Sequence, residues 1–184
     1  MHLRTVSTAL LAPLLASVSL AQMGGMPMNG QGSAKPLASP PATANVTLAG
    51  QTLMIHYNSP SVRGREIFGG LVPYGQVWRT GANPATTLIT PVSLHIGSLL
   101  VPAGTYTIYT LPARDKWMLI VNQQTKQWGT EYHQEQDLGR VEMKGKTIPQ
   151  QEMMSISFDD IKKDSAELHI RWATTDESVK ITTP

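Results

Sequence analysis

From Asn45 onward, apolar and polar residues alternate in short runs, and glycines and prolines separate the runs. Val46 and Leu48, then Leu53, Ile55 and Tyr57, keep a period of two around Ala49-Gly50-Gln51, which is the pattern of a hairpin. Thr86–Thr90 and Val92–Ile96 are rich in β-formers, with Pro91 between them marking a break or an edge. Gly97-Ser98 predicts a tight turn into Leu99–Val101, and Pro102-Ala103-Gly104 predicts the next turn. In Thr105–Leu111, Tyr106, Ile108 and Thr110 face opposite to Thr107 and Tyr109. After Pro112–Asp115, Lys116–Asn122 carries Trp117, Leu119 and Val121 on one face and Met118 and Ile120 on the other. That strand is therefore predicted to be central and covered on both sides. Further strands are predicted over Arg140–Lys144, Met153–Phe158, Glu167–Trp172 and Val179–Thr182.

About ten short strands, with turn signals between them and no amphipathic helix, predict an all-β domain. The expected architecture is a single antiparallel β-sandwich, jelly-roll-like or barrel-like, over residues 45–184. A short helical turn near Ile67–Leu71 is the one exception that the sequence suggests.

The first 21 residues follow a different rule. A basic start at Arg4, an apolar run broken by Pro13, and Ser19-Leu20-Ala21 form a secretory leader, with cleavage expected after Ala21. The run is too short and too rich in Ser and Ala for a spanning helix. Export to the periplasm or beyond is expected, with no membrane span once the leader is removed. Residues 22–44 lack hydrophobic periodicity and are dominated by Gly, Pro, Ser and Ala, the composition of a disordered linker. Met23, Met26 and Met28 are soft thioethers of the kind that suit Cu(I), but no His clusters with them. No metal or cofactor is assigned.

Composition removes several function classes. There is no cysteine, so disulfides, thiol catalysis and thiolate metal sites are excluded. A formal charge of +2 without a basic run gives no footprint for nucleic acid. No pair among His56, His95, His133 and His169 has metal-ligand spacing. Ser59 and Ser61 lie near His56, but no nucleophile-elbow motif accompanies them.

The least ordinary stretch is Asn58–Thr87, which holds Arg63, Arg65, Arg79, Tyr74, Trp78 and Asn83 among five glycines and three prolines. Its large apolar residues, from Ile67 and Phe68 to Val77 and Trp78, predict an ordered, packed loop of the kind that often carries function.

Three segments of this chain, PSVRGREIFGGLVPYGQVWRTGAN, LLVPAGTYTIYTLP and KWMLIVNQQTKQWG, carry a family resemblance. The chain resembles the domain of unknown function 2911, found in exported bacterial proteins, over nearly the whole domain from His56 to Ile181. The resemblance implies a secreted or periplasmic β-rich domain with no established activity. The family pattern usually continues TGAN with an acidic residue, whereas this chain has Pro84 there.

Arg65, Arg79 and Asn83 are the leading site candidates, because guanidinium forks suit carboxylate or phosphate. Tyr74 and Trp78 could add an aromatic wall for a sugar or ring. Trp128, Tyr132 and His133, in the polar loop Asn122–Leu138, form a second cluster beside Glu131, Glu135 and Asp137. The competing reading is structural: arginines in irregular loops often tie down loop carbonyls or pair with an acid. The leading expectation is non-catalytic binding of an anionic or carbohydrate-like small molecule or glycan at the cell envelope, with both loops meeting at one end of the sandwich. A hydrolase of envelope glycans or esters using His133 and carboxylates is the alternative, and a structural or protein-interaction domain is a third. The sequence leaves the oligomeric state open.

Overall fold

The structure is a computed structural model and describes residues 38–184. The leader, its cleavage site and the three linker methionines lie outside the described residues. Ten strands follow one another: β1 Pro41–Leu48, β2 Gln51–Asn58, β3 Thr86–Thr90, β4 Leu94–Ile96, β5 Leu99–Val101, β6 Gly104–Leu111, β7 Met118–Asn122, β8 Asp137–Glu142, β9 Lys144–Asp159 and β10 Ser165–Thr182. Among the described residues the only helical element is a 3-10 turn at Gln134–Gln136. One sheet has the order β1-β2-β3-β6-β7-β8 and the other β5-β4-β10-β9, and every pairing is antiparallel. Neither sheet closes on itself, so the fold is a sandwich and not a barrel.

Alternation fixes the faces. Leu53, Ile55, Leu88, Ile108, Leu119 and Val121 project from the first sheet onto Ile96, Ile156, Leu168, Ile170 and Ile181 of the second, all buried. Each such side chain contributes about 1.5–3 kcal/mol relative to an exposed one. β7 is buried on both faces, as its apolar run predicts, with Ile120 covered as completely as Leu119. The β1–β2 turn places Ala49 (φ 49°) and Gly50 (φ 78°) in the left-handed region, which a two-residue hairpin of matching twist requires. The chain changes sheets where Pro91 and Pro102 stop a ladder, and again at buried Met143, whose N–H bonds the Trp117 carbonyl at 2.8 Å.

Four elements differ most from their sequence reading. β9 begins at Lys144, nine residues before the expected start at Met153, because its first half is polar and mostly exposed and shows no apolar alternation. β1 begins at Pro41, four residues before the period of two becomes legible at Asn45, because Ala42 and Ala44 are small and weakly patterned. β8 starts earlier than Arg140 and ends at Glu142, because Met143 is the crossing point and Lys144 already belongs to β9. β10 joins two segments that read as separate strands. Ala173 has φ 52°, and β9 runs ahead of β10 on either side of it, so that Arg171, Ala173 and Thr175 oppose Ser155, Gln151 and Thr147. The left-handed residue reverses the parity of β10. Leu168, Ile170 and Trp172 face the core before the kink, and Glu177, Val179 and Ile181 occupy the same side after it.

Candidate functional site

The segment between β2 and β3 is held by its backbone along most of its length. Ser61 bridges Met153 on the free edge of β9, with Val62 N–H on the Glu152 carbonyl (2.8 Å) and Met154 N–H on the Pro60 carbonyl (2.9 Å). Ser59 is buried and donates to the Met154 carbonyl at 2.6 Å, while His56 bonds Thr43, so these two do not pair as nucleophile and base. The helical turn expected at Ile67–Leu71 is absent. Leu71 and Val72 reach back five residues to the carbonyls of Glu66 and Ile67 (3.1 and 2.8 Å), with Gly69 at φ 94°. Farther on, Trp78 exchanges two backbone bonds with Thr110 (2.7 and 2.9 Å). β3 pairs with β6 only as far as Ile108, so Trp78 takes the ladder position beyond it.

Trp78 enters a cluster of four rings. It stacks on Trp172 (centroids 5.6 Å apart, 17° between planes), and Phe68 meets Trp117 edge-on at 4.7 Å. The following residues turn sharply, with Thr80 at φ 53° and Asn83 at φ 60°, a region that Asn tolerates. Thr80 is buried and its carbonyl accepts from Thr86 Oγ1 at 2.9 Å.

The second loop arrives against this turn. Pro84 bridges Trp128, Gly129 N–H bonds the Asn83 carbonyl (3.2 Å), and Ala85 N–H bonds the Gln127 carbonyl (3.4 Å). Any side chain at position 129 would run into the Arg79 stem and the Asn83 carbonyl, so Gly129 permits the close approach. The two loops therefore meet, and between them lies a cavity of about 440 Å³.

Arg65, Trp78, Arg79, Asn83 and Tyr132 line this cavity, joined by Tyr109 and Trp172 from the strands. Tyr74, Trp128 and His133 do not. Tyr74 lies at other surface hollows, Trp128 is half-exposed beside Pro84, and exposed His133 pairs with exposed Glu135 at 3.1 Å. Among the described residues, no Asp, Glu or His lines the cavity. Asp137 is committed elsewhere: it accepts from Asn122, Tyr132 and Arg140 (2.9, 2.7 and 2.8 Å). This triad fixes the Tyr132 ring in the wall. Burial, then the Asp137 hydrogen bond and charge, push the Tyr132 phenol up to about 12, so it stays a neutral donor.

The arginines divide. Arg65 is exposed and donates through Nη2 to the Ser61 carbonyl (2.7 Å) and through Nε to the Val62 carbonyl (3.0 Å), as a loop staple does. Arg63 bonds the Ala38 carbonyl, Arg114 lies over Tyr74, Arg140 pairs with Asp137, and Arg171 pairs with Asp159 and Asp176. Among the described arginines, Arg79 alone has no such partner, although it is half-buried in the cavity wall.

The family model described as a protein of unknown function (DUF2911) matches residues 39–181. The chain belongs to this family. No curated protein and no solved structure matches it.

In this DUF2911 domain the cavity wall carries the Arg79 guanidinium beside the loop-tied Arg65, the part-exposed rings of Trp78 and Tyr132 and, among the described residues, no carboxylate to oppose an anion. Sequence pattern singled out the arginines by type. It missed Tyr109, an outward-facing strand residue that becomes a wall only once the second loop covers it, and Gly129, whose importance lies in what touches it. Arg65→Ala should cost about 1 kcal/mol, because two hydrogen bonds at an exposed loop are exchanged for water. Urea unfolding of the variant measures this.

Proposed function

We propose that this exported domain binds an anionic, carbohydrate-like small molecule at the cell envelope without chemically transforming it, in the cavity between the Trp78–Asn83 turn and the Trp128–Tyr132 loop. One observation carries the reading: Arg79, part-buried and without a side-chain partner among the described residues, lines a cavity whose described lining holds no acid. A guanidinium held out of bulk water without a counter-ion favours an arriving carboxylate, sulfate or phosphate more than an exposed one does. Trp78 and Tyr132, both part-exposed, supply aromatic surface of the kind that packs on sugars, with buried Tyr109 behind them, and Asn83 adds an amide at the rim. The leader expected from the sequence supports a site outside the cytoplasm.

Native mass spectrometry on protein recovered from its own host's envelope fraction tests the reading. A retained mass that carries an acidic group and dissociates on activation is the expected result. A retained mass that is cationic or purely apolar would contradict it. The denatured mass of the same sample tests cleavage after Ala21.

A further inference from the structure

A second cavity, of about 260 Å³, lies on the other side of the ring cluster: Trp78 and Trp172 line the first cavity, and Phe68 and Trp117 line the second. Tyr74 is also in its wall, and Glu177 forms part of its lining. Glu177 is only 5% exposed, and its Oε2 is buried without a hydrogen-bond partner. The kink at Ala173 accounts for its position, because odd-numbered residues of β10 face inward after it. Val179 and Ile181 obey that alternation with apolar side chains, and Glu177 breaks it with an acid. The residue opposite it in the ladder is Gly145, where any added Cβ would come within 2.6 Å of the Glu177 carboxylate. The strand pair thus places a glycine where a side chain would displace the acid. A buried carboxyl with an unsatisfied oxygen is costly to keep.

The surrounding charges indicate what would satisfy it. Asp176, next along the strand, adds a like charge, and burial with that charge pushes the Glu177 carboxyl up to about 7. The cations in the cavity wall are engaged: Lys146 with Asp176 at 3.3 Å, and Arg114 over the Tyr74 ring at 5.0 Å. Asp115 is the remaining charged group in the lining, and it is acidic. Three aromatic side chains and a buried, uncompensated acid are the components that recognise alkylated ammonium groups, through ring quadrupoles and a counter-ion together.

We infer that this second cavity is a cage for a small organic ammonium group, with Glu177 as counter-ion and Phe68, Tyr74 and Trp117 as walls. It is independent of the anion-binding reading of the first cavity. Binding requires the ionised acid, so the bound ammonium and the proton compete for Glu177.

The test is a titration of the protein with choline chloride as a trimethylammonium probe, read by NMR at the Trp117 indole N–H. The uncharged isostere 3,3-dimethylbutan-1-ol and sodium acetate serve as controls. The expected result is a saturable shift with choline, weakened about tenfold by the neutral isostere and lost in Glu177→Gln. Affinity should rise about tenfold from pH 6 to pH 8, as the ionised fraction of Glu177 grows through its midpoint near 7. Gly145→Ala, which displaces the carboxylate without removing it, should weaken choline as well and covers the case of a poorly folded Glu177→Gln. Equal binding of the neutral isostere, saturation by acetate in place of choline, unchanged binding in a folded Glu177→Gln, or no saturable response to choline would each overturn the inference.

Discussion

Asp176→Ala should destabilise the domain by about 3 kcal/mol at pH 7, measured from the shift of a urea unfolding curve at constant slope. Asp176 is 1% exposed and accepts from His169 Nδ1 (2.8 Å), Arg171 Nε (2.9 Å) and Lys146 Nζ (3.3 Å). Removing it leaves the buried His169 and part-buried Arg171 short of an acceptor, whereas Lys146 swings back into water. The cost should sit at the low end for a broken buried pair, since Arg171 keeps Asp159 and Ser157. The pH dependence has a definite sign. Burial raises the Asp176 pKa, but the hydrogen bonds and charges of His169 and Arg171 outweigh it and hold the group below an ordinary 3.8. Its stabilisation is therefore present above the unfolded value and is lost as pH falls through the folded one, so wild type and variant should converge in acid. The variant also removes the like charge beside Glu177, and the midpoint of that acid should fall.

Trp172→Ala should cost about 3–5 kcal/mol and lower the melting temperature by roughly 8–15 °C. Trp172 is 2% exposed, stacks on Trp78 and meets Phe68 edge-on at 6.1 Å, and its Nε1 donates to the Glu152 carbonyl at 3.3 Å. Deleting the ring leaves a void at the partition between the two cavities, so both sites should lose their shape along with the stability. Trp172→Phe keeps an aromatic surface and should recover part of the loss. A calorimetric scan distinguishes the two variants. A Trp172→Ala midpoint within about 2 °C of wild type would mean that the cluster collapses without cost, contrary to its packing.

What the sequence made legible followed from local period. β6 and β7 kept their predicted faces because alternation there runs uninterrupted, and the hairpin turn needed the Ala49-Gly50 positions it has. β10 reads as two strands in the sequence because its parity inverts at Ala173, and no residue type announces that an alanine will adopt φ 52°. The same inversion hid Glu177: its burial depends on a kink four residues away and on Gly145 in another strand. Arg65 and Arg79 looked alike in sequence. Both line the cavity, but loop carbonyls hold the Arg65 guanidinium, whereas Arg79 has no side-chain partner among the described residues. The meeting of the two loops rests on the bridge from Pro84 to Trp128, which joins residues far apart in the chain and leaves no periodic trace.

The proposed ligand-binding role of Arg79, as against a structural one, is open to direct measurement. The direct measurement is Arg79→Ala, with urea unfolding and native mass spectrometry on the same preparation from the host envelope. The expected result is unfolding within about 1 kcal/mol of wild type, since Arg79 makes no side-chain hydrogen bond or ion pair among the described residues, together with loss of the retained anionic mass. Destabilisation by about 2–5 kcal/mol with retention unchanged would identify Arg79 as a structural staple and contradict it.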